Sequence, residues 1–216
     1  MCKDSDDSSR DGDTFLLGED LVRSPIHKAA GTGQVDFDGI LQQPLRIHED
    51  LQNGNGGQMW PAGMVLAKYM LRRKRDELRK ATSMLGVALG CDLDDGVYIT
   101  DQQPMLELMQ QNITLNSLQA KVKAAVYDWG AARPDAIPQH PTVVLAADCV
   151  YFEPAFPLLQ VTLQELIGPE TVCYFCFKRR RRADMHFLKT MRKAFNVETV
   201  TDDPDRDVYS RENIIL

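Results

Sequence analysis

Downstream of residue 35 the chain alternates between two hydrophobic patterns. Val122–Tyr127, Val143–Ala147 and Thr171–Phe177 are short runs of small, branched and aromatic apolar residues, the composition of strands buried on both faces. Between and after them, Pro104–Asn112, Phe156–Ile167 and Met185–Phe195 repeat their apolar residues at helical spacing; Met105, Leu108 and Met109 share one side of the first. Gly96–Asp101 reads as a further short strand that ends in a carboxylate. Upstream, Pro61 opens a helix at the turn where a missing N–H costs nothing. Met64, Ala67, Met70, Leu71 and Leu78 give that helix an apolar stripe, and Arg72–Arg75 with Arg79 a solvated face. Alternation around Phe37, Ile40, Leu45 and Ile47 predicts short strands, a hairpin or an edge over Val35–Glu49. Asn53–Gly57, with two Asn-Gly steps, is a loop. Two short strands near Val197–Val200 and Asn213–Leu216 would close the chain. Strands alternating with helices of this length predict an α/β fold, a mostly parallel sheet with helices on both faces. No internal repeat is visible.

Composition narrows the class. The 216 residues suffice for one large domain with a real core. Hydrophobic residues at 44% and charged residues at 26% are ordinary for a globular protein. Residues 1–24 read as a disordered acidic tail, most strongly over the serine-rich Met1–Asp13, ahead of a domain over residues 25–216. That opening has no apolar segment of a signal peptide, and no apolar run approaches the ~18 residues of a membrane span. A cytoplasmic protein is expected. The net charge of -6 argues against generic nucleic-acid binding. The five cysteines are scattered, and Cys173 and Cys176 would point to opposite faces of a strand, which disfavours a metal site. The four histidines show no ligand spacing, so no metal is assigned.

Candidate chemistry gathers where strands end. In open α/β sheets, ligands bind in the crevice outside the carboxyl ends of the strands. Val143–Ala147 ends by presenting Asp148, with the phenol of Tyr151 three residues later. Taken alone, Asp148 could equally be an acidic residue that marks a strand exit. Asp101 ends its strand in the same way, and Asp128-Trp129 follows Val122–Tyr127. A carboxylate in the position of Asp101 can accept two hydrogen bonds from ribose hydroxyls.

The order and spacing of Gln58-Met-Trp-Pro-Ala-Gly63, Tyr98-Ile-Thr-Asp101, Tyr127-Asp-Trp-Gly130 and Ala147-Asp-Cys-Val-Tyr151 resemble the seven-stranded S-adenosylmethionine-dependent methyltransferases. More narrowly, they resemble the protein-lysine methyltransferases with an Asp-x-x-Tyr motif after the fourth strand. NGGQMWPAGMVLAKYML, ITDQQPMLELMQQNITLN, VLAADCVYFEPAFPLL and CYFCFKRRRRADMHF are similar to the fungal branch that methylates a lysine of translation elongation factor 1-alpha. The resemblance covers roughly Ile26 to Leu216. It implies a Rossmann-like sheet, S-adenosyl-L-methionine as cofactor, and a monomer acting on a protein substrate, with no nucleic acid and no membrane. It implies Asp148 and Tyr151 as catalytic residues, the first holding the incoming ammonium and the second orienting the amine. It implies Trp60, Asp101, Asp128, Trp129 and Ala147 at the cofactor: Trp60 closing that end of the site, Asp101 at the ribose, Asp128 and Trp129 at the adenine, and Ala147 allowing close approach. Relatives that methylate adenine or glutamine amides usually carry two prolines between the polar and aromatic residues, where this chain has Cys149 and Val150. Lys178–Arg182 matches a family stretch and reads as a surface feature that helps dock the substrate or orient a loop.

One segment departs from that family. Its first strand and glycine-rich loop, of the form E-L-G-x-G-x-G, should lie between the opening helix and the Gly96–Asp101 strand. Here Lys80–Gly90 stands in that place, and Gly86 and Gly90 are too far apart to make the loop. Gly31-Thr-Gly33 precedes the whole fold and cannot replace it. The first strand and loop therefore read as deleted, as though about a dozen residues had been removed between Thr82 and Leu85. A second reading follows: a methyltransferase-like binding protein, a truncated isoform or gene-model variant, that lacks the cofactor site. A third, a small-molecule or RNA methyltransferase, is disfavoured by the Asp-x-x-Tyr motif, and a dehydrogenase is the least expected class because the dinucleotide fingerprint is missing.

Overall fold

The computed structural model describes residues 29–80, 84–85 and 96–216. Helix α1 (Pro61–Arg73) continues through Lys74 into α2 (Arg75–Lys80). A six-stranded sheet follows, built from β3 (Met84–Leu85), β4 (Val97–Asp101), β5 (Val122–Val126), β6 (Val143–Ala147), β7 (Val172–Lys178) and β8 (Ile214–Ile215). Its spatial order is β5-β4-β3-β6-β7-β8, parallel throughout except for β8, which runs antiparallel to β7. Helices α3 (Leu106–Leu115), α4 (Phe156–Leu166) and α5 (Arg182–Ala194) follow β4, β6 and β7, and α6 (Arg206–Arg211) precedes β8. This is the Rossmann-like α/β architecture read from the sequence. Among the described residues no helix is long and apolar enough to cross a membrane.

Side-chain alternation on the central strands builds two cores. Val143 and Leu145 of β6 with Tyr174 and Cys176 of β7 meet Leu66, Ala67 and Met70 of α1. On the opposite face, Phe175 and Phe177 pack with Leu159 and Leu163 of α4 and with Phe187 and Met191 of α5. Cys176 belongs to the first core and Cys173 to the second, as strand periodicity requires.

The sheet corrects the sequence reading at its centre. The first strand is not wholly deleted: Met84–Leu85 occupies its place and pairs in parallel with both β4 (Met84↔Val97) and β6 (Met84↔Val143). Without a central member, β4 and β6 would each bury a row of unpaired backbone groups, a cost that a two-residue strand offsets in part. The missing glycine-rich loop expected in the Lys80–Gly90 stretch otherwise falls outside the described residues. Two further elements differ. Val197–Val200 forms no ladder and meets β8 through one bond, Val200 N–H to the Leu216 carbonyl at 3.1 Å, so six of the expected seven strands are present among the described residues. Helix α6 is an addition to the expected elements; its signal was Pro204 with Asp205 and Asp207 about the first turn.

The hairpin expected near Val35–Glu49 is present as β1 (Gly31–Val35) antiparallel to β2 (Leu45–Glu49). It is attached by two asparagines of α3. The Asn116 amide accepts from Arg46 N–H (2.8 Å) and donates to the Arg46 carbonyl (2.7 Å). Asn112 does the same for His48, at 2.7 and 3.0 Å. Four residues of helix rise about 6 Å and two residues of strand about 6.6 Å, so consecutive amides on one helix face meet alternate residues of β2. The helix serves β2 as a neighbouring strand. Asn112→Ala should destabilise the protein by about 1–2 kcal/mol and the more exposed Asn116→Ala by about 1 kcal/mol or less. Urea denaturation measures the loss; unchanged stability with unchanged amide exchange at Arg46 and His48 would disprove the attachment.

Candidate active site

Helix α1 begins without local means to cap itself. Trp60 stands at the N-cap with no capping side chain, and Pro61 has no N–H. Ala62 therefore carries the first amide of the helix that needs an acceptor. Asp148, 86 residues away, supplies it: Ala62 N–H donates to Asp148 Oδ2 at 2.8 Å. Asp148 reaches that point because it leaves β6 in the left-handed region, φ 52°, with its own N–H donating to the Cys176 carbonyl at 2.8 Å. Aspartate tolerates this conformation better than most residues. Its other oxygen, Oδ1, accepts from Lys178 N–H and the Arg180 guanidinium, both at 3.4 Å. The carboxylate is 5% exposed and ion-paired with Arg180. It fastens the ends of β6 and β7 to the start of α1.

Tyr151 is held through its backbone. Arg181 donates to the Tyr151 carbonyl at 2.6 Å and to Asp184 Oδ1 at 3.0 Å, and lies 6.0 Å from the Phe156 ring centroid. Asp184 is fully buried and accepts from the N–H groups of Arg180 (2.7 Å) and Arg181 (2.9 Å) on Oδ2. This carboxylate, accepting from the N-cap amide, starts α5 and orients the arginine that grips the Tyr151 turn. The phenol is raised above its ordinary pKa by burial, then by the nearby charge of Asp101, so it stays protonated at neutral pH. Burial pushes the neighbouring Cys149 thiol up to about 12, which keeps it from acting as a nucleophile.

Asp101 ends β4 beside Val126 of β5. Its Oδ1 accepts from Gln102 N–H at 2.7 Å, and among the described residues Oδ2 takes no hydrogen bond. Burial raises the carboxyl pKa; the Gln102 bond opposes the shift and the charge of Asp128 adds to it. The Asn53–Gly57 loop closes over this group. A Cβ on Gly56 would lie 2.6 Å from Asp101 Oδ2 and 3.0 Å from Met105 Sδ, so a larger residue there would push the Asp101 carboxylate or the Met105 side chain aside. Trp60 pins the loop by donating from Nε1 to the Asn55 carbonyl at 2.7 Å. Ala147 lies under α1 at Gly63, where an added Cβ would meet the Ala147 methyl at 3.9 Å. Asp128 is exposed at the end of β5, and Trp129 is partly buried against the Val150–Phe156 cluster.

The structure therefore gathers Trp60, Asp101, Ala147, Asp148 and Tyr151 along one sheet edge, with Asp128 and Trp129 at the adjoining strand end. Sequence reasoning missed Ala62, Gly56 and Asp184; of the two expectations for Lys178–Arg182, orienting a loop agrees with the bond from Arg181 to the Tyr151 carbonyl. Among the described residues no group of three or more His, Cys, Asp or Glu side chains could hold a metal.

A Rossmann-like sheet with an Asp-x-x-Tyr turn at its carboxyl edge defines a methyltransferase-like architecture. Residues 40–194 match the family described as "Lysine methyltransferase". The protein-lysine N-methyltransferase EFM6 of Saccharomyces cerevisiae is 33% identical over 91% of this chain and 94% of its own length. The protein N-lysine methyltransferase METTL21A of Danio rerio is 32% identical over 79% of this chain and 83% of its own. The EEF1A lysine methyltransferase 3 of Mus musculus is 30% identical over 72% and 70%. This chain belongs to the lysine methyltransferase family.

Asp148→Ala should cost about 2–3 kcal/mol, since it strips a buried helix amide of its acceptor and Arg180 of its counter-charge. Asp148→Asn keeps an acceptor for Ala62 and should cost about 1 kcal/mol; equal losses in a denaturant titration would show that the Ala62 bond contributes nothing. Asp101 has the opposite sign. Its folded pKa is raised, so its contribution to stability is fully present below the unfolded value near 3.8 and is lost as pH rises through the folded value. Asp101→Asn should therefore be more stable than the parent at pH 7 and level with it near pH 3. A melting series that finds no pH-dependent gap would contradict this.

Proposed function

We propose that the chain is by lineage an S-adenosylmethionine-dependent protein-lysine N-methyltransferase of translation elongation factor 1-alpha in the cytoplasm, impaired in this form at its cofactor loop. The observation that carries the reading is the Asp148–Tyr151 turn, clamped by Ala62, Arg180 and Arg181 within reach of the Asp101 charge. The names of the yeast and mouse relatives favour a protein lysine, and the mouse name favours the elongation factor. What supports the cofactor reading is the Oδ2 of Asp101, which is left to accept from ribose hydroxyls, with Gly56 keeping the backbone close above it and Asp128 and Trp129 following the adjoining strand. The cofactor supplies an electrophilic methyl group on a sulfonium.

The chain's residues have the rest to do. A free lysine titrates near ~10.4 and is protonated at neutral pH, so its amine must be held and relieved of a proton. Asp148 offers negative charge to the ammonium through the lone pairs its scaffold bonds leave over. The Tyr151 hydroxyl, kept neutral by burial, orients the amine as its proton passes to water. Apolar surroundings lower the lysine pKa and assist that loss. Alignment supplies most of the rate gain, ~7–11 kcal/mol in well-oriented systems. The rigid backing of both residues serves that purpose.

The two-residue β3 favours a second reading, a binding protein derived from this family with an incomplete cofactor site. Calorimetric titration with S-adenosylmethionine separates the two. The chain as it stands should bind weakly, and inserting a strand and glycine-rich loop between Thr82 and Leu85 should strengthen binding at least ~10-fold and permit methyl transfer to purified elongation factor 1-alpha. In that loop-restored form Asp101→Ala should weaken cofactor binding by about 1.5–3 kcal/mol. Micromolar binding by the unaltered chain would refute the second reading; absence of transfer by the restored form would refute the first.

A further inference from the structure

Helix α5 carries a pattern that the site does not use. Arg182, His186, Lys189 and Lys193 recur at steps of four, three and four, which places them within about 60° of arc on one face. All four are exposed, while Asp184, Phe187 and Met191 on the far side are buried. The stripe is about 16 Å long. No ion pair engages Arg182, Lys189 or Lys193 among the described residues. Helix polarity accounts for Lys193 near the C-terminus but opposes Arg182 in the first turn. Arg182 also directly follows Arg181, whose guanidinium holds the Tyr151 carbonyl. The stripe thus starts beside the Asp-x-x-Tyr turn and runs away from it, in a protein whose net charge is -6.

We propose that Arg182, His186, Lys189 and Lys193 form a docking rail for an acidic segment of the protein substrate, which rests on the protein-lysine methyltransferase reading above. The target amine is a cation and is repelled by this face, so the stripe can serve recognition only by attracting carboxylates elsewhere on the same substrate. Like charges that exclude a wrongly seated lysine and opposite charges that hold a flanking segment act together in selection. A nucleic acid is the poorer match. The outward face of α5 has no Phe, Tyr or Trp on which a base could stack.

Fluorescence anisotropy of a labelled oligoglutamate with the purified full chain tests the rail directly. No methyl donor is present, so the outcome does not depend on cofactor binding or transfer, and failure of the methylation reading would show separately in the transfer assay. The parent chain should bind oligoglutamate and not oligoglutamine, with affinity that falls as salt rises. The triple variant R182E/K189E/K193E should bind at least ~10-fold more weakly, and the milder R182Q/K189Q/K193Q should fall between them. A control reversal of equal charge on other exposed basic positions, R46E/K123E/R211E, should stay within about twofold of the parent. Circular dichroism melts confirm that each variant is folded; if the glutamate variant fails to fold, the glutamine variant against the control decides. The proposal is overturned if the parent does not bind oligoglutamate, if stripe and control reversals weaken it alike, or if a homopolymeric RNA binds more tightly than the peptide.

Discussion

A single carboxylate gathers the carboxyl edge of this fold. Asp148 satisfies the first amide of α1, and that helix cannot cap itself because Trp60 and Pro61 offer neither a capping oxygen nor an earlier donor. The same side chain accepts from the backbone after β7 and pairs with Arg180. Three segments far apart in sequence thereby converge on one group. A buried ionic hub of this kind costs desolvation energy and contributes little net stability against an apolar alternative. What it provides is geometry, since its bonds fix where β6 ends relative to α1. The residue that resemblance assigns to the substrate amine is therefore also part of the frame. A carboxylate has about four lone-pair directions, so the two roles do not compete for the same electrons.

The basic run after β7 divides along similar lines. Arg180 and Arg181 face inward, toward Asp148, Tyr151 and the buried Asp184, and Arg179 bonds Asn213 Oδ1 ahead of β8. Adjacent residues of one charge would repel in a purely solvated cluster. Here each has a different anionic or carbonyl partner, and the backbone N–H groups of two of them converge on one Asp184 oxygen. The turn carrying Tyr151 is rigid because its support comes from the next strand and helix, not from its own loop.

Much of this was legible from residue pattern. The Val143–Ala147 run came out as β6 with the predicted bounds, because a strand buried on both faces leaves no polar residue to blur its ends. Pro61 marked the start of α1 for a steric reason that tertiary context does not override. Strand-end positions for Asp101 and Asp148 followed from the same periodicity. What stayed hidden depends on contacts between distant segments. Nothing local to Ala62 shows that its amide seeks a partner 86 residues on. Nothing in Met84–Leu85 marks it as a strand, since two residues carry no periodicity and only the unpaired flanks of β4 and β6 call for it. Val197–Val200 has strand composition yet forms no ladder, because residue type indicates compatibility with a sheet and not the presence of a neighbour.

The asparagine attachment of the β1–β2 hairpin has a consequence for how the chain acquires its fold during synthesis. The hairpin leaves the ribosome early, but its acceptors and donors on α3 lie 64 and 70 residues downstream. A two-stranded hairpin is marginal in water on its own. Until α3 has emerged and coiled, Arg46 and His48 have no amide partners. The loop over Asp101 is thus translated before the strand end that it covers. Any slowing of translation between the two would prolong a nascent state in which β2 is an exposed edge, the kind of surface that chaperones and neighbouring chains engage.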